Sequence, residues 1–230
     1  MSDRYESLQT ASLYVEAFHV ASPISPVGRE VWQRQPGVFI RAGQPQVAAG
    51  NEAVEPEPAI HTRELAAGQF GLVPNWVKSA SEAKLRSAKL VNARSETVTA
   101  SNNFRDAWMN GQRCIVPMMA FQEDDWRSGK AVPTRIARVD GKPMGVAGLW
   151  EGWTGADGDV IISFTLLTVN ANSHALMSRY QQPGNEKRML AILNEGAADA
   201  WLSTRPEKAR EFMRAYPANW LTANPVEKSR

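Results

Sequence analysis

The amino-acid sequence predicts an α+β fold, with a mixed, mainly antiparallel sheet and helices along its flanks. Three observations carry this. Segments rich in β-branched residues follow one another at 133–139, 144–150 and 160–169. Gly141-Lys142-Pro143 and the Gly/Asp-rich stretch 155–159 read as hairpin loops between them, and short turns favour antiparallel neighbours. Apolar residues recur at helical spacing near both ends of the chain. Finally, 230 residues with 43% hydrophobic content suit one sizeable core, so a single domain over 1–230 is expected.

Taken in order, Thr10–Val20 carries Leu13, Ala17 and Val20 with Tyr14 and Phe18 alongside, an amphipathic helix. Pro23, Pro26, Gly28 and Pro36 make 21–36 an irregular connection. Val38-Phe39-Ile40 is a short buried strand, and Gly43–Pro58 is an exposed loop, with His61 just beyond it at a loop or strand end. Phe70–Val73 reads as a strand stopped by Pro74. Ser79–Lys89 mixes Lys and Arg with Ala and Leu, which suits a solvated helix. Ser101 is placed to cap a helix bearing Phe104, Ala107 and Trp108 and closed by Gly111. Cys114–Val116 is a buried strand. Asn172 would cap a helix through Leu176 and Tyr180. Glu195–Leu202 and Pro206–Tyr216 read as two more amphipathic helices, and Trp220–Arg230 as a frayed end.

Composition narrows the function classes. A net charge of +2 gives no broad basic field, so any nucleic-acid contact must be local, modest and salt-sensitive. The single cysteine, Cys114, rules out an internal disulfide and fits a reducing, cytoplasmic setting. It sits in an apolar run with no neighbouring His, so it reads as an inert buried thiol. No apolar run approaches membrane-spanning length, and no signal-peptide pattern opens the chain. No cofactor and no metal are expected.

The chemistry-bearing stretch is Leu90-Val91-Asn92-Ala93-Arg94-Ser95-Glu96-Thr97. Asn92 and Arg94 are two apart, so in an extended chain they share a face, where an amide and a guanidinium can hold a phosphate. The plainer alternative is a strand end with Arg94 paired to Glu96. Glu123-Asp124-Asp125 offers a candidate general acid–base, or else a solvated acidic turn. Trp76, after the stop at Pro74, is either exposed and able to stack on a base, or folded back on the core.

Together with Gly68–Trp76, Arg113–Pro117, Phe121-Gln122-Glu123, Ala147–Trp150 and Lys187–Leu193, this stretch resembles the SRAP (SOS-response-associated peptidase, or abasic-site processing) family. Its pattern runs WGLVPxW, NARxET, RCxxPxxGFYEW, AGLW, then a His and RMPVIL. The resemblance runs from Arg4 to about Leu202. It implies a strongly curved, barrel-like sheet with the N-terminus inserted in a groove. It also implies a DNA-damage (SOS) role, with single-stranded and abasic-site DNA as partners.

In that family the position-2 α-amine attacks the ring-opened aldehyde of an abasic site. The thiol of a cysteine at that position then closes the Schiff base into a stable cross-link, and the same machinery removes the initiator Met. Carried over, Arg4, Asn92 and Arg94 would hold the DNA, with Trp76 as a stacking contact, and Glu123 would move protons. Two positions depart from the pattern. Ser2 stands in place of the cysteine, and Gln181 stands where the catalytic His is expected, with His174 a poor substitute. A hydroxyl is a far weaker nucleophile than a thiol. The expected activity is therefore weakened or reversible cross-linking, with a non-catalytic DNA- or protein-binding descendant as the alternative.

Overall fold

The computed structural model describes residues 1–43 and 62–226. In chain order they form β1 (Arg4–Glu6), α1 (Ala11–Phe18), β2 (Glu30–Trp32), β3 (Pro36–Ala42), β4 (Arg63–Phe70), α2 (Ala80–Ser87), β5 (Asn92–Arg94), α3 (Arg105–Met109), β6 (Arg113–Met118) and β7 (Ala120–Asp125). These are followed by β8 (Val132–Arg138), β9 (Met144–Thr154), β10 (Val160–Asn170), β11 (Arg188–Leu190), α4 (Ala198–Ser203), α5 (Pro206–Ala209) and β12 (Leu221–Pro225).

Five strands close on themselves in the order β4-β3-β6-β9-β10 and back to β4. Every pairing in this ring is antiparallel except β10 with β4, where Ser163 lies opposite Gln69. Phe39, Phe70 and Phe164 pack in series, with ring centroids 5.4 Å and 5.6 Å apart, and all three are fully buried. A second sheet, β12-β8-β7-β1-β2, is antiparallel throughout. The α+β, barrel-like expectation therefore holds.

β10 positions the site. Its first half zips to β9, while its last residues carry β5 in parallel on one side and β11 antiparallel on the other. Arg94 and Leu190 both register with Thr168. In the second sheet β1 runs antiparallel to β7, with Tyr5 opposite Phe121, which lays the residues ahead of β1 beside Glu123.

Several local expectations are corrected. The strand before Pro74 ends at Phe70, because Gly71 turns the chain at φ +114°. A Cβ there would sit 2.3 Å from the Ser87 carbonyl oxygen, so only glycine fits. Gly141-Lys142-Pro143 is no hairpin loop. It joins β8 and β9, which belong to different sheets, whereas 155–159 is a true hairpin between β9 and β10. The connection over 21–36 contains β2. α3 begins at Arg105 without a side-chain cap, and the Ser101 hydroxyl instead accepts from the Asn103 N–H.

No α-helix follows Asn172. That segment turns on His174, whose ring bonds the Tyr216 carbonyl and the Leu176 and Met177 amides, and only a 3-10 turn forms at Met177–Arg179. The helix from Pro206 tightens to 3-10 geometry at Arg210–Phe212 and stops short of Tyr216. Residues 221–225, expected to fray, pair with β8 as β12. The expected loop from 44 to 58, His61 and the last four residues lie outside the described residues.

Candidate active site

Glu123 lies on β7, not in a solvated turn, and is 4% exposed. Its Oε1 accepts from the Ser2 hydroxyl at 2.6 Å, and its Oε2 is 3.1 Å from the α-amine of Met1. Burial raises the carboxyl above its ordinary range, while the N-terminal amine and the Ser2 hydroxyl pull it back part of the way. A raised carboxyl beside an amine and a hydroxyl is equipped for proton exchange with both.

Asn92 and Arg94 flank the fully buried Ala93 on β5, as the two-residue period requires. The Asn92 amide nitrogen donates to the Ser2 carbonyl at 2.7 Å and pins the N-terminal segment against the sheet. Its Oδ1 is buried and has no hydrogen-bond partner among the described residues. Arg94 is exposed and pairs with Glu186. The alternative pairing with Glu96 fails because the chain turns immediately after β5. Glu96 instead bonds Arg188 at 2.7 Å and accepts from the Asn170 N–H. Burial opposes the charge on Glu96, but the Arg188 hydrogen bonds hold its carboxyl below the ordinary value.

A cleft of about 500 Å³ is lined by Met1, Arg94, Glu123, Asp124, Trp126, Gln181, Glu186 and Arg188, among others. Three of the sequence-chosen residues thus meet here with the N-terminus, and Asn92 joins them through Ser2. Gln181 is present, but its amide is committed elsewhere. Nε2 donates to the Arg188 carbonyl at 2.7 Å, and Oε1 accepts the Arg188 N–H at 3.1 Å. It braces the strand that carries Arg188.

Arg4 is not in the cleft wall: it bonds Gln122 at 2.7 Å and stacks over Trp32, and Gln122, next to Glu123 on β7, faces the opposite side of the strand. Trp76 is not in the cleft wall. Its indole donates to the Asn102 carbonyl, Arg86 covers one face at 4.7 Å, and it stays 39% exposed.

Sequence reasoning missed Glu186, Asn170, Arg188 and Trp126. A charged triplet, Glu186-Lys187-Arg188, directly ahead of an apolar strand was the available signal for two of them. Cys114 is buried and its thiol is pushed well up by burial, so it is inert. Among the described residues no helix is long and apolar enough to cross a membrane, and no cluster of His, Cys, Asp and Glu could hold a metal ion.

The family model of the SOS response associated peptidase (SRAP) matches residues 1–229. The chain is 29% identical over 162 residues to the abasic site processing protein YoqW of Bacillus subtilis, covering 69% of this chain and 67% of that one. It is 24% identical over 201 residues to the abasic site processing protein HMCES of Gallus gallus, covering 78% of this chain and 57% of that one. A solved structure from Bordetella bronchiseptica superposes with a TM-score of 0.84 at 38% identity, covering 99% of this chain and 100% of that one.

Proposed function

The chain belongs to the SOS response associated peptidase (SRAP) family, and from that premise we propose that it processes abasic sites in single-stranded DNA through its own N-terminus. The observation that carries this is Glu123, one buried carboxylate in contact with both the Ser2 hydroxyl and the Met1 amine. The buried single cysteine fits a cytoplasmic setting.

The first step exposes the Ser2 amine. Glu123 takes the Ser2 hydroxyl proton as Oγ bonds to the Met1 carbonyl carbon. The Met1–Ser2 C–N bond breaks, and the proton passes to the departing Ser2 nitrogen. Water then hydrolyses the ester, releasing methionine and restoring the hydroxyl. A hydroxyl depends on an adjacent base for this attack, and the 2.6 Å contact supplies one.

The second step acts on DNA. The Ser2 amine adds to the C1′ aldehyde of the open abasic sugar, and water leaves to give an imine. Arg94 holds a flanking phosphate, and the orphaned Asn92 Oδ1 accepts from the amine. The Ser2 hydroxyl closes at most an oxazolidine, which reopens readily, so the link is reversible where a thiol would make it durable.

The test is a denaturing gel of labelled abasic oligonucleotide, with the N-terminus checked by mass spectrometry. Wild type is expected to give no heat-stable adduct, but a trapped adduct when borohydride reduces the imine. Ser2→Cys is expected to restore a heat-stable adduct. A wild-type adduct that survives heating without borohydride would show that the thiol is dispensable. No trapped adduct despite a free Ser2 amine would leave a non-catalytic DNA-binding module.

A further inference from the structure

We infer that Glu186 is a specificity-determining residue: its carboxylate fills a phosphate subsite built by Arg94, Asn170 and Arg188, and a DNA phosphate enters only by displacing it. This rests on the reading of the cleft as a DNA site. Glu186 accepts from Arg94, from the Asn170 amide at 2.6 Å and from Arg188 Nη1 at 3.1 Å. Two guanidinium groups and an amide converging on one pair of oxygens are also the donor array that a phosphodiester requires.

The two arginines are not equivalent. Arg188 is 4% exposed and also bonds Glu96 and Thr168, so it stays neutralised and fixed when Glu186 moves away. Arg94 is exposed, and its ion pair among the described residues is with Glu186. Glu186 itself is half-buried on the loop between Gln181 and β11, which turns through Pro183-Gly184. With Glu186 in place, the Arg94 charge in the cleft wall is matched by a carboxylate; without it, Arg94 has no ion-pair partner among the described residues, while Arg188 stays matched by Glu96. A resident carboxylate thus sets a threshold. A lone phosphate contact exchanges one anion for another at Arg94, and net binding needs further contacts along the strand.

The test uses a fluorescent, undamaged single-stranded oligothymidylate, so that covalent chemistry plays no part, titrated by anisotropy at several salt concentrations. Glu186→Gln keeps the shape and removes the charge. It is expected to bind about tenfold more tightly at low salt, with a salt slope steeper by about 0.7, the value for one added phosphate contact on a single strand. Glu186→Ala is a second variant expected to shift the same way. The double variant Arg94→Ala/Glu186→Gln is expected to lose the gain. If wild type binds and neither Glu186 variant tightens binding, the inference is overturned and the DNA reading stands. A gain that persists in the double variant also overturns it. If no variant binds at any salt concentration, both the inference and the DNA reading fail.

Discussion

The Ser2 hydroxyl donates to Glu123 Oε1 at 2.6 Å, while the other carboxylate oxygen lies 3.1 Å from the Met1 amine. One side chain therefore spans the Met1–Ser2 peptide from a position that is almost fully buried. That geometry has a cost as well as a use, because an ionised carboxylate is poorly solvated there.

The cost is measurable as a pH dependence. The Glu123 carboxyl is raised by burial above its ordinary 4.5, so the folded chain binds this proton more tightly than the unfolded chain. Its stabilising contribution is fully present below pH 4.5 and is lost as pH rises through the raised value. Glu123→Gln removes that loss. The variant is expected to melt above wild type at neutral pH and to converge with it as pH falls below 4.5. Thermal melts across that range check this, and a wild type more stable at neutral pH would show that the amine over-compensates the burial.

Asn92 holds the N-terminus by a single hydrogen bond, to the Ser2 carbonyl. Asn92→Ala is expected to cost about 1 kcal/mol of stability, yet to reduce the borohydride-trapped adduct on the order of tenfold because the amine is no longer positioned. Asn92→Asp is expected to fare worse on both counts. It loses the donor to Ser2 and sets a carboxylate against the Ser2 carbonyl oxygen. Melting temperature and gel yield separate the two effects.

Trp126 and Trp76 are expected to behave differently. Trp126 lines the cleft, whereas Trp76 is held by Asn102 and covered by Arg86 outside it. Stacking on a base contributes about 1–3 kcal/mol. Trp126→Ala is therefore expected to weaken single-stranded DNA binding roughly tenfold, and Trp76→Ala to change it less than about twofold. An anisotropy titration of both variants decides between them. The reverse order would return the stacking role to Trp76.

How much was legible in the sequence follows from the range of each interaction. Asn92 and Arg94 could be placed on one face because a strand alternates locally, and the 155–159 hairpin because turn chemistry is local. Closure of the barrel was not readable from the residues themselves. It depends on the parallel pairing of Ser163 with Gln69, and no local pattern announces such a partner. The resemblance supplied the curvature instead. Glu186 escaped notice for the same reason, since its link to Arg94 spans 92 positions. The tail misled because Leu221–Pro225 has no pattern of its own. It becomes a strand by completing the edge of β8.

Gln181 is where the sequence reading and the structure part most clearly. The resemblance set it in the place of a catalytic histidine, so Gln181→His would be expected to improve the cross-link of Ser2→Cys. The structure predicts the opposite. Gln181 adopts a left-handed backbone at φ +69°, is 8% exposed, and spends both amide ends on the Arg188 main chain. Removing those bonds leaves a buried N–H and C=O unpaired, at about 1–3 kcal/mol. Gln181→His cannot reproduce the paired donor and acceptor, so adding it to Ser2→Cys is expected to lower the melting temperature without raising adduct yield. Gln181→Gly sharpens the test, because glycine relaxes the backbone while losing the same two bonds. It is expected to be less destabilised than Gln181→Ala, with both below wild type. If the histidine variant instead cross-links faster at unchanged stability, the ring reaches the cleft and position 181 is a site for proton transfer after all.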